Sequence, residues 1–405
     1  MFAPRLLWII MWFWLSVSYS LPLFFPDSLY WVSAANVLVS VSLGLLFLFI
    51  WLVRPFSIQS SLAKWVCIYI GWVALASIFS PYVWENWLRT AGYFIAQASL
   101  ILAVLLGSRL LDVNNAFLLA GRAYVLGTIL TTINLVLPGA EQSTRFGSEE
   151  LLHPNSLGFL YATTLLFLLF SPLYRSVPLR IATIISFFVL LTLTFSKTSI
   201  IAVLSAVGVA IIFQRGWRKT VYALGILIVV GVSFWFLGDY IQEQTQTYLS
   251  NQYLVTTLTG RTVLWGWVVE MVSKRPWFGY GYATFRDIFS PYSLDLGFSL
   301  PAVQAHNAYL DALFTGGYPG LFLFCLVVFK VIVSLIAGVR KMKIKGPAWS
   351  SFLVAIAILI LIRSITEGTL NLGRDFLILA GTAFLAEAWS LRKAKEALGR
   401  KISNV

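Results

Sequence analysis

Residues 306–320 read HNAYLDALFTGGYPG, and they place His306, one of only two histidines in the chain, beside Asn307 and ahead of Gly317 and Gly320. Imidazole is the side chain whose ordinary titration lies nearest neutral pH, so a histidine in such a setting is a candidate proton acceptor. Pro301 upstream and the glycine break downstream predict a short helix over about 306–315. The ring then sits at the positive end of a helix dipole, a place that suits the neutral form a base needs. The plain alternative is an interfacial histidine with no part in chemistry.

Two cations invite a second chemistry. Gly260-Arg261 opens a helical pattern in TGRTVLWGWVVEMVSKRPWFGYGYATF (259–285), so a guanidinium and the backbone N–H groups of a helix start point the same way. That combination suits a phosphate. Arg261 can equally snorkel, or pair within its own loop. Lys197 interrupts an apolar stretch from 181 to 213 in TFSKTSIIA. A lysine there is costly unless it meets water or an anion, so it is either the turn between two spans or a contact for a lipid-borne phosphate. Gly279 and Gly281 permit close approach of backbone to a ligand.

The elements that must position these residues are membrane helices. With 59% hydrophobic and 11% charged residues over 405 positions and a mean hydropathy of +0.84, the chain cannot fold in water without exposing large apolar surface. Apolar runs predict twelve spans, near 6–25, 30–53, 63–80, 90–108, 116–137, 157–173, 179–196, 199–213, 221–238, 318–339, 349–366 and 375–391. The first follows a basic n-region but lacks a clear cleavage site and is read as an anchor. With both termini in the cytoplasm, 20 of the 29 basic residues fall on the inner side, against only Asp112, Glu387 and Glu396 of the 16 acids. The net charge of +13 is then a matter of topology, and no nucleic-acid partner is implied. Cys67 and Cys325 read as packing residues inside spans.

Nine basic residues lie on the outer side: Arg89, Arg145, Lys197, Arg261, Lys274, Arg275, Arg286, Arg363 and Arg374, with His153 and His306. The outer loops are short apart from about 138–156 and about 239–317. The resulting organisation is spans one to nine in 1–238, an extracytoplasmic loop subdomain in 239–317, spans ten to twelve in 318–391 and a basic cytoplasmic tail in 392–405. In the long loop Val263, Leu264, Trp267, Val268 and Met271 share one helix face, which predicts an amphipathic helix at the membrane surface, ended by Pro276.

His306-Asn307, nine residues, Gly317, two residues, Gly320 resembles the signature of the bacterial O-antigen ligases. The wider order is similar to the ligase and polymerase family over about 140–390: twelve or so spans, a large external loop, and a Gly-Arg opening a helix within it. At the turn holding Lys197 the family usually carries an arginine; the lysine keeps the charge without the fork. The resemblance implies an all-α membrane glycosyltransferase of GT-C type in the bacterial inner membrane, its active site on the periplasmic side. It implies transfer of a glycan from an undecaprenyl diphosphate carrier to a sugar hydroxyl of lipid A-core, with no metal or other cofactor. His306 is then the general base, and Arg261 and Lys197, with Arg145 as a third candidate, hold the diphosphate. Asn307, Gly317 and Gly320 orient the acceptor or the loop. The absence of a D-x-D motif agrees with a metal-free site. The alternatives are a polymerase or a protein O-oligosaccharyltransferase of the same family, with another acceptor, and a membrane transporter, which would need charges midway through its spans.

Overall fold

The computed structural model describes residues 2–20, 29–55, 60–85, 87–136, 146, 153–171, 173, 176–212, 242, 246, 260–296, 302–342, 350–368 and 371–402. Among these residues every regular element is a helix. In chain order they are α1 (Phe2–Val17), α2 (Leu29–Val53), α3 (Ser61–Ile78), α4 (Pro81–Glu85), α5 (Trp87–Leu110), α6 (Val113–Val136), α7 (Pro154–Phe170), α8 (Val177–Leu193), α9 (Lys197–Ile212), α10 (Arg261–Lys274), α11 (Phe285–Phe289), α12 (Ala308–Met342), α13 (Ser350–Ser364) and α14 (Arg374–Ile402). The expected ninth span, 221–238, and Arg145 lie outside the described residues.

Five helices, α2, α3, α5, α6 and α12, hold stretches of 18 or more residues apolar enough to cross a membrane. The chain is a membrane protein. Another five, α1, α7, α8, α9 and α13, are apolar but run 10–17 residues. Two sequence expectations shift at their edges. The first span stops at Val17 with a 3-10 turn over Ser18–Ser20. The basic tail expected from residue 392 continues α14 to Ile402, because its Lys, Ala, Glu and Leu residues are strong helix formers.

α7 is the axis of the bundle and is almost wholly buried. Phe167 stacks on Phe352 of α13 at 4.3 Å and meets the edge of Trp12 of α1 at 6.2 Å. Gly158 lets α7 close on the α8–α9 turn, for a Cβ there would stand 2.6 Å from that of Ser196.

Polar contacts sort the helix ends into two sets. At one end Arg109 of α5 pairs with Glu387 of α14 at 2.6 Å, Arg392 with Asp112 at 3.2 Å, and Arg180 of α8 donates to the last carbonyls of α7. Arg122, partway along α6, reaches the carbonyl of Leu173 just beyond α7. At the opposite end lie Asn155, Lys197, Arg363, Glu367 and Arg374. About thirteen residues of α14 separate Arg374 from Glu387, roughly 20 Å of helix.

The segment 260–296 forms a second core beside the bundle. Leu264, Trp267, Val268, Met271 and Val272 of α10 pack on Phe285, Ile288, Phe289 and Phe314. Ring centroids lie 4.9 Å apart for Trp267 and Phe289 and 4.8 Å for Phe285 and Phe314. The apolar face of α10 is therefore covered by protein, where the sequence suggested a helix lying on the membrane. A fully buried Phe contributes about 1.5–3 kcal/mol, so aromatic rings hold this small subdomain together.

Gly317 breaks α12 with φ 65° and ψ −166°, a region essentially reserved for glycine. The break is a fold-back. Tyr309 and Phe324 bring their ring centroids within 5.6 Å, whereas a straight helix would hold residues fifteen apart by about 22 Å. The first limb of α12 thus descends beside the second, carrying residues 306–307 back toward the bundle. Gly279 (φ 61°) and Gly281 (φ 88°) close against this bend: Tyr280 N donates to Phe314 O at 2.8 Å and Gly281 N to Thr315 O at 3.0 Å. Their close approach is to the chain's own backbone, where the sequence suggested a ligand. A Cβ on Gly317 would lie 2.4 Å from the carbonyl oxygen of Pro276. Gly317→Ala is expected to lower the thermal unfolding midpoint of the purified protein sharply, and an unchanged midpoint would show that the turn can relax. Gly320 is less constrained, with its nearest prospective contact, Ala312 O, at 3.2 Å.

Candidate functional site

The α13–α14 turn carries Glu367, whose side chain is 5% exposed. Three elements far apart in sequence converge on its carboxylate. Arg261, the first residue of α10, places Nη2 3.1 Å from Oε1. Asn155, in the first turn of α7, donates Nδ2–H to the same oxygen at 3.0 Å. His306 places Nδ1 3.3 Å from Oε2. Burial alone would raise this carboxyl. The hydrogen bond from His306 and the charges of His306, Arg363 and Arg261 outweigh it and hold the group at about 2. Glu367 is therefore an anion at any ordinary pH.

A second buried ion pair lies behind the first. Arg363, in the last turn of α13, is 2% exposed. Its Nε is 3.4 Å from Asp375 Oδ2, its Nη1 donates to Asn155 O at 3.1 Å and to Ser199 Oγ at 2.8 Å, and its guanidinium lies 4.6 Å from the Phe159 ring centroid. Arg363 thus ties α7, α9 and α14 together, with aromatic and hydroxyl partners offsetting its desolvation. Arg374 stands beside this pair with its guanidinium 3.8 Å over the ring of Tyr19.

The loop holding His306 is over-determined. Trp265 Nε1 donates to Ala305 O at 2.9 Å, and Ala305 N donates to Asp311 Oδ1 at 2.8 Å. Between these anchors His306 adopts φ 51°, a left-handed conformation uncommon outside glycine. Asn307 follows as the cap of α12, its Oδ1 accepting from Tyr309 N at 3.0 Å and Leu310 N at 3.1 Å, while its Nδ2 donates to Ile365 O at 3.0 Å. Its structural role is thereby defined: it caps the helix and ties the histidine loop to the α13–α14 turn. Asn307→Ala is expected to lower stability by about 1 kcal/mol through the lost cap and to slow any reaction at this site less than His306→Ala does. A thermal melt alongside a rate measurement checks both.

His306 lies one residue before the cap of α12, as the sequence suggested, but the helix dipole is not its only electrostatic neighbour. The ionised Glu367 accepts hydrogen bonds and cannot donate, so the ring's Nδ1 bears the hydrogen and the lone pair of the neutral ring is at Nε2. A histidine oriented in this way by a carboxylate has the geometry of a general base with a fixed tautomer.

Lys197 opens α9 on the same side, exposed, with Nζ 5.5 Å from the Phe195 ring centroid. Its neighbour Thr198 makes a hydroxyl contact of 3.1 Å with Thr366, next to Glu367. The fold therefore gathers Arg261, His306 and Asn307 directly and Lys197 through the adjacent turn. Arg145 lies outside the described residues. Sequence reading passed over Glu367 and Asn155, and took Arg363 only as a basic residue on the wrong side of the charge rule. His153 caps α7, its Nδ1 accepting from Asn155 N at 3.2 Å. Among the described residues no group of three His, Cys, Asp or Glu side chains is placed to hold a metal ion.

No curated protein matches the chain. A family comparison is informative over about a third of its length: residues 181–325 match the model of the O-antigen ligases. The matched stretch contains Lys197, Arg261, His306, Asn307, Gly317 and Gly320, and it ends before Glu367. Over residues 181–325, then, the chain is similar to the O-antigen ligase family.

Proposed function

We propose that this protein is a metal-independent glycosyltransferase that moves a glycan from undecaprenyl diphosphate to a sugar hydroxyl of lipid A-core. The observation that carries the proposal is the convergence of Arg261 and His306 on one buried carboxylate, inside or adjoining a stretch that matches the O-antigen ligases. The acceptor oxygen attacks the anomeric carbon as its proton passes to Nε2 of His306. The anomeric C–O bond breaks, and its electron pair leaves with the diphosphate. Charge grows on that leaving group in the transition state, where the guanidinium of Arg261 and the ammonium of Lys197 stabilise it. Arg145 is a third candidate cation.

A transporter would need ionisable groups midway along its helices. The charged contacts described above gather mainly at the two ends of the bundle, which favours an enzyme. Purified protein supplied with undecaprenyl diphosphate-linked glycan and lipid A-core tests the reading. Transfer to the core is expected. Extension of the carrier-linked glycan with the core untouched would make the protein a polymerase, and no transfer to either would remove the proposal.

In the proposed setting the site faces the periplasm and both termini face the cytoplasm of a cell with an inner membrane. Cysteine introduced at Gln244 should react with an impermeant reagent in intact cells, and cysteine at Asn404 only after lysis. Labelling of Asn404→Cys alone in intact cells would invert the topology.

A further inference from the structure

We infer that Glu367 is a positioning residue of the reaction: its carboxylate sets which nitrogen of His306 meets the acceptor and holds Arg261 in register with it, so that base and cation form one unit. This inference rests on the roles proposed above for those two residues. Glu367 lies beyond the matched 181–325 stretch, and its role comes from geometry alone.

The two carboxylate oxygens have different duties. Oε1 receives two donors, Arg261 Nη2 at 3.1 Å and Asn155 Nδ2 at 3.0 Å, and Oε2 faces His306 Nδ1 at 3.3 Å. The charged and titratable groups around this carboxylate are Arg261 from α10, Arg363 from α13, His306 from the loop before α12, and Asp311 from α12. Asn155 supplies a neutral donor from α7. During transfer the acceptor proton moves to Nε2, the ring becomes imidazolium, and Glu367 keeps its own charge while accepting the Nδ1–H bond. It gains no proton and forms no bond to substrate.

The asymmetry makes Glu367→Gln a directed test. Arg261 and Asn155 are both donors, so the amide oxygen must stay in the Oε1 position and the NH2 falls opposite His306. The amide then donates to Nδ1 and forces the hydrogen onto Nε2, removing the lone pair that faces the acceptor. Shape is kept and the tautomer is inverted. In a serine protease the equivalent Asp→Asn change, with geometry intact, lowers turnover about ten-thousand-fold.

The experiment uses full-length protein in detergent or nanodiscs with 15N-labelled histidine. The chain has two histidines, so His306→Ala assigns the spectrum. The neutral ring of His306 should show the Nδ1–H tautomer in the parent and the Nε2–H tautomer in Glu367→Gln. The Gln variant should lose roughly a hundred- to ten-thousand-fold in kcat with little change in donor KM. Glu367→Asp, which keeps the charge, should retain the parent tautomer and more activity than Gln. A Gln variant that keeps the Nδ1–H tautomer, or turns over at the parent rate, overturns the inference. So does an Asp variant no better than Gln, which would mark a purely structural carboxylate. If His306→Ala is itself fully active, the general-base reading has failed; if it is inactive while Glu367→Gln is normal, only the role of Glu367 has.

Discussion

His306→Ala is expected to lower the single-turnover rate of glycan transfer by roughly a hundred- to ten-thousand-fold, the usual contribution of a positioned base. Donor binding should be largely intact, because the ring contacts Glu367 and offers its other nitrogen to the acceptor. Acid conditions should also slow transfer, since a protonated ring cannot accept the acceptor's proton. Glu367 cannot be the source of that acid limb: it stays ionised down to about 2. A histidine that mainly gripped diphosphate would behave in the opposite way and favour acid conditions. An unchanged single-turnover rate in well-folded His306→Ala would reduce the residue to a loop element.

Such a test is practical because the loop and the His306 ring are held by different atoms. The backbone at residue 305 is fixed by Trp265 and Asp311, and the start of α12 by Asn307. Removing the imidazole leaves all of these in place and relieves none of the constraints on the left-handed turn. Loss of rate can therefore be separated from loss of fold by a melt of the same sample.

What was legible in the sequence follows from the range of the interactions involved. α10 could be read closely: Gly260 before it, an apolar face at helical spacing, and Pro276 after it are all local signals, and the helix runs Arg261–Lys274. The break at Gly317 was legible for the same reason, although its sharpness was not, because a fold-back that brings Tyr309 to Phe324 depends on how the two limbs pack. Glu367 was illegible. Its partners are 61, 106 and 212 positions away, and in sequence it is one acid in a short turn between two apolar runs. One signal was available. Arg363, Glu367, Arg374 and Asp375 crowd a single turn between two apolar runs, and alternating charges at the ends of adjacent membrane helices must find partners nearby. The cover on the apolar face of α10 was not legible, because amphipathicity reports that a face is covered without saying whether lipid or protein covers it, and here it packs on Phe285, Phe289 and Phe314.

Arg261→Ala should reduce transfer roughly a hundred- to thousand-fold, the range seen when one fixed donor to a developing anion is removed. Arg261→Lys should recover part of it, since charge survives and the planar fork does not. The pairing with Glu367 complicates a simple reading of that loss. With Arg261 gone, Oε1 keeps only Asn155 among the two donors described, so the damage could travel through Glu367 to His306 without any contact with substrate. Two measurements separate these routes. If Arg261 touches the leaving group, Arg261→Ala should weaken product inhibition by undecaprenyl diphosphate about as much as it slows transfer. The tautomer of His306 should meanwhile stay Nδ1–H, because the carboxylate remains. If Arg261 acts only by supporting Glu367, affinity for the diphosphate should be unchanged, and a second change, Glu367→Gln, should add nothing to the rate already lost. Normal transfer by a well-expressed Arg261→Ala protein would remove the guanidinium from the mechanism and leave Lys197 and Arg145 as the cations to test.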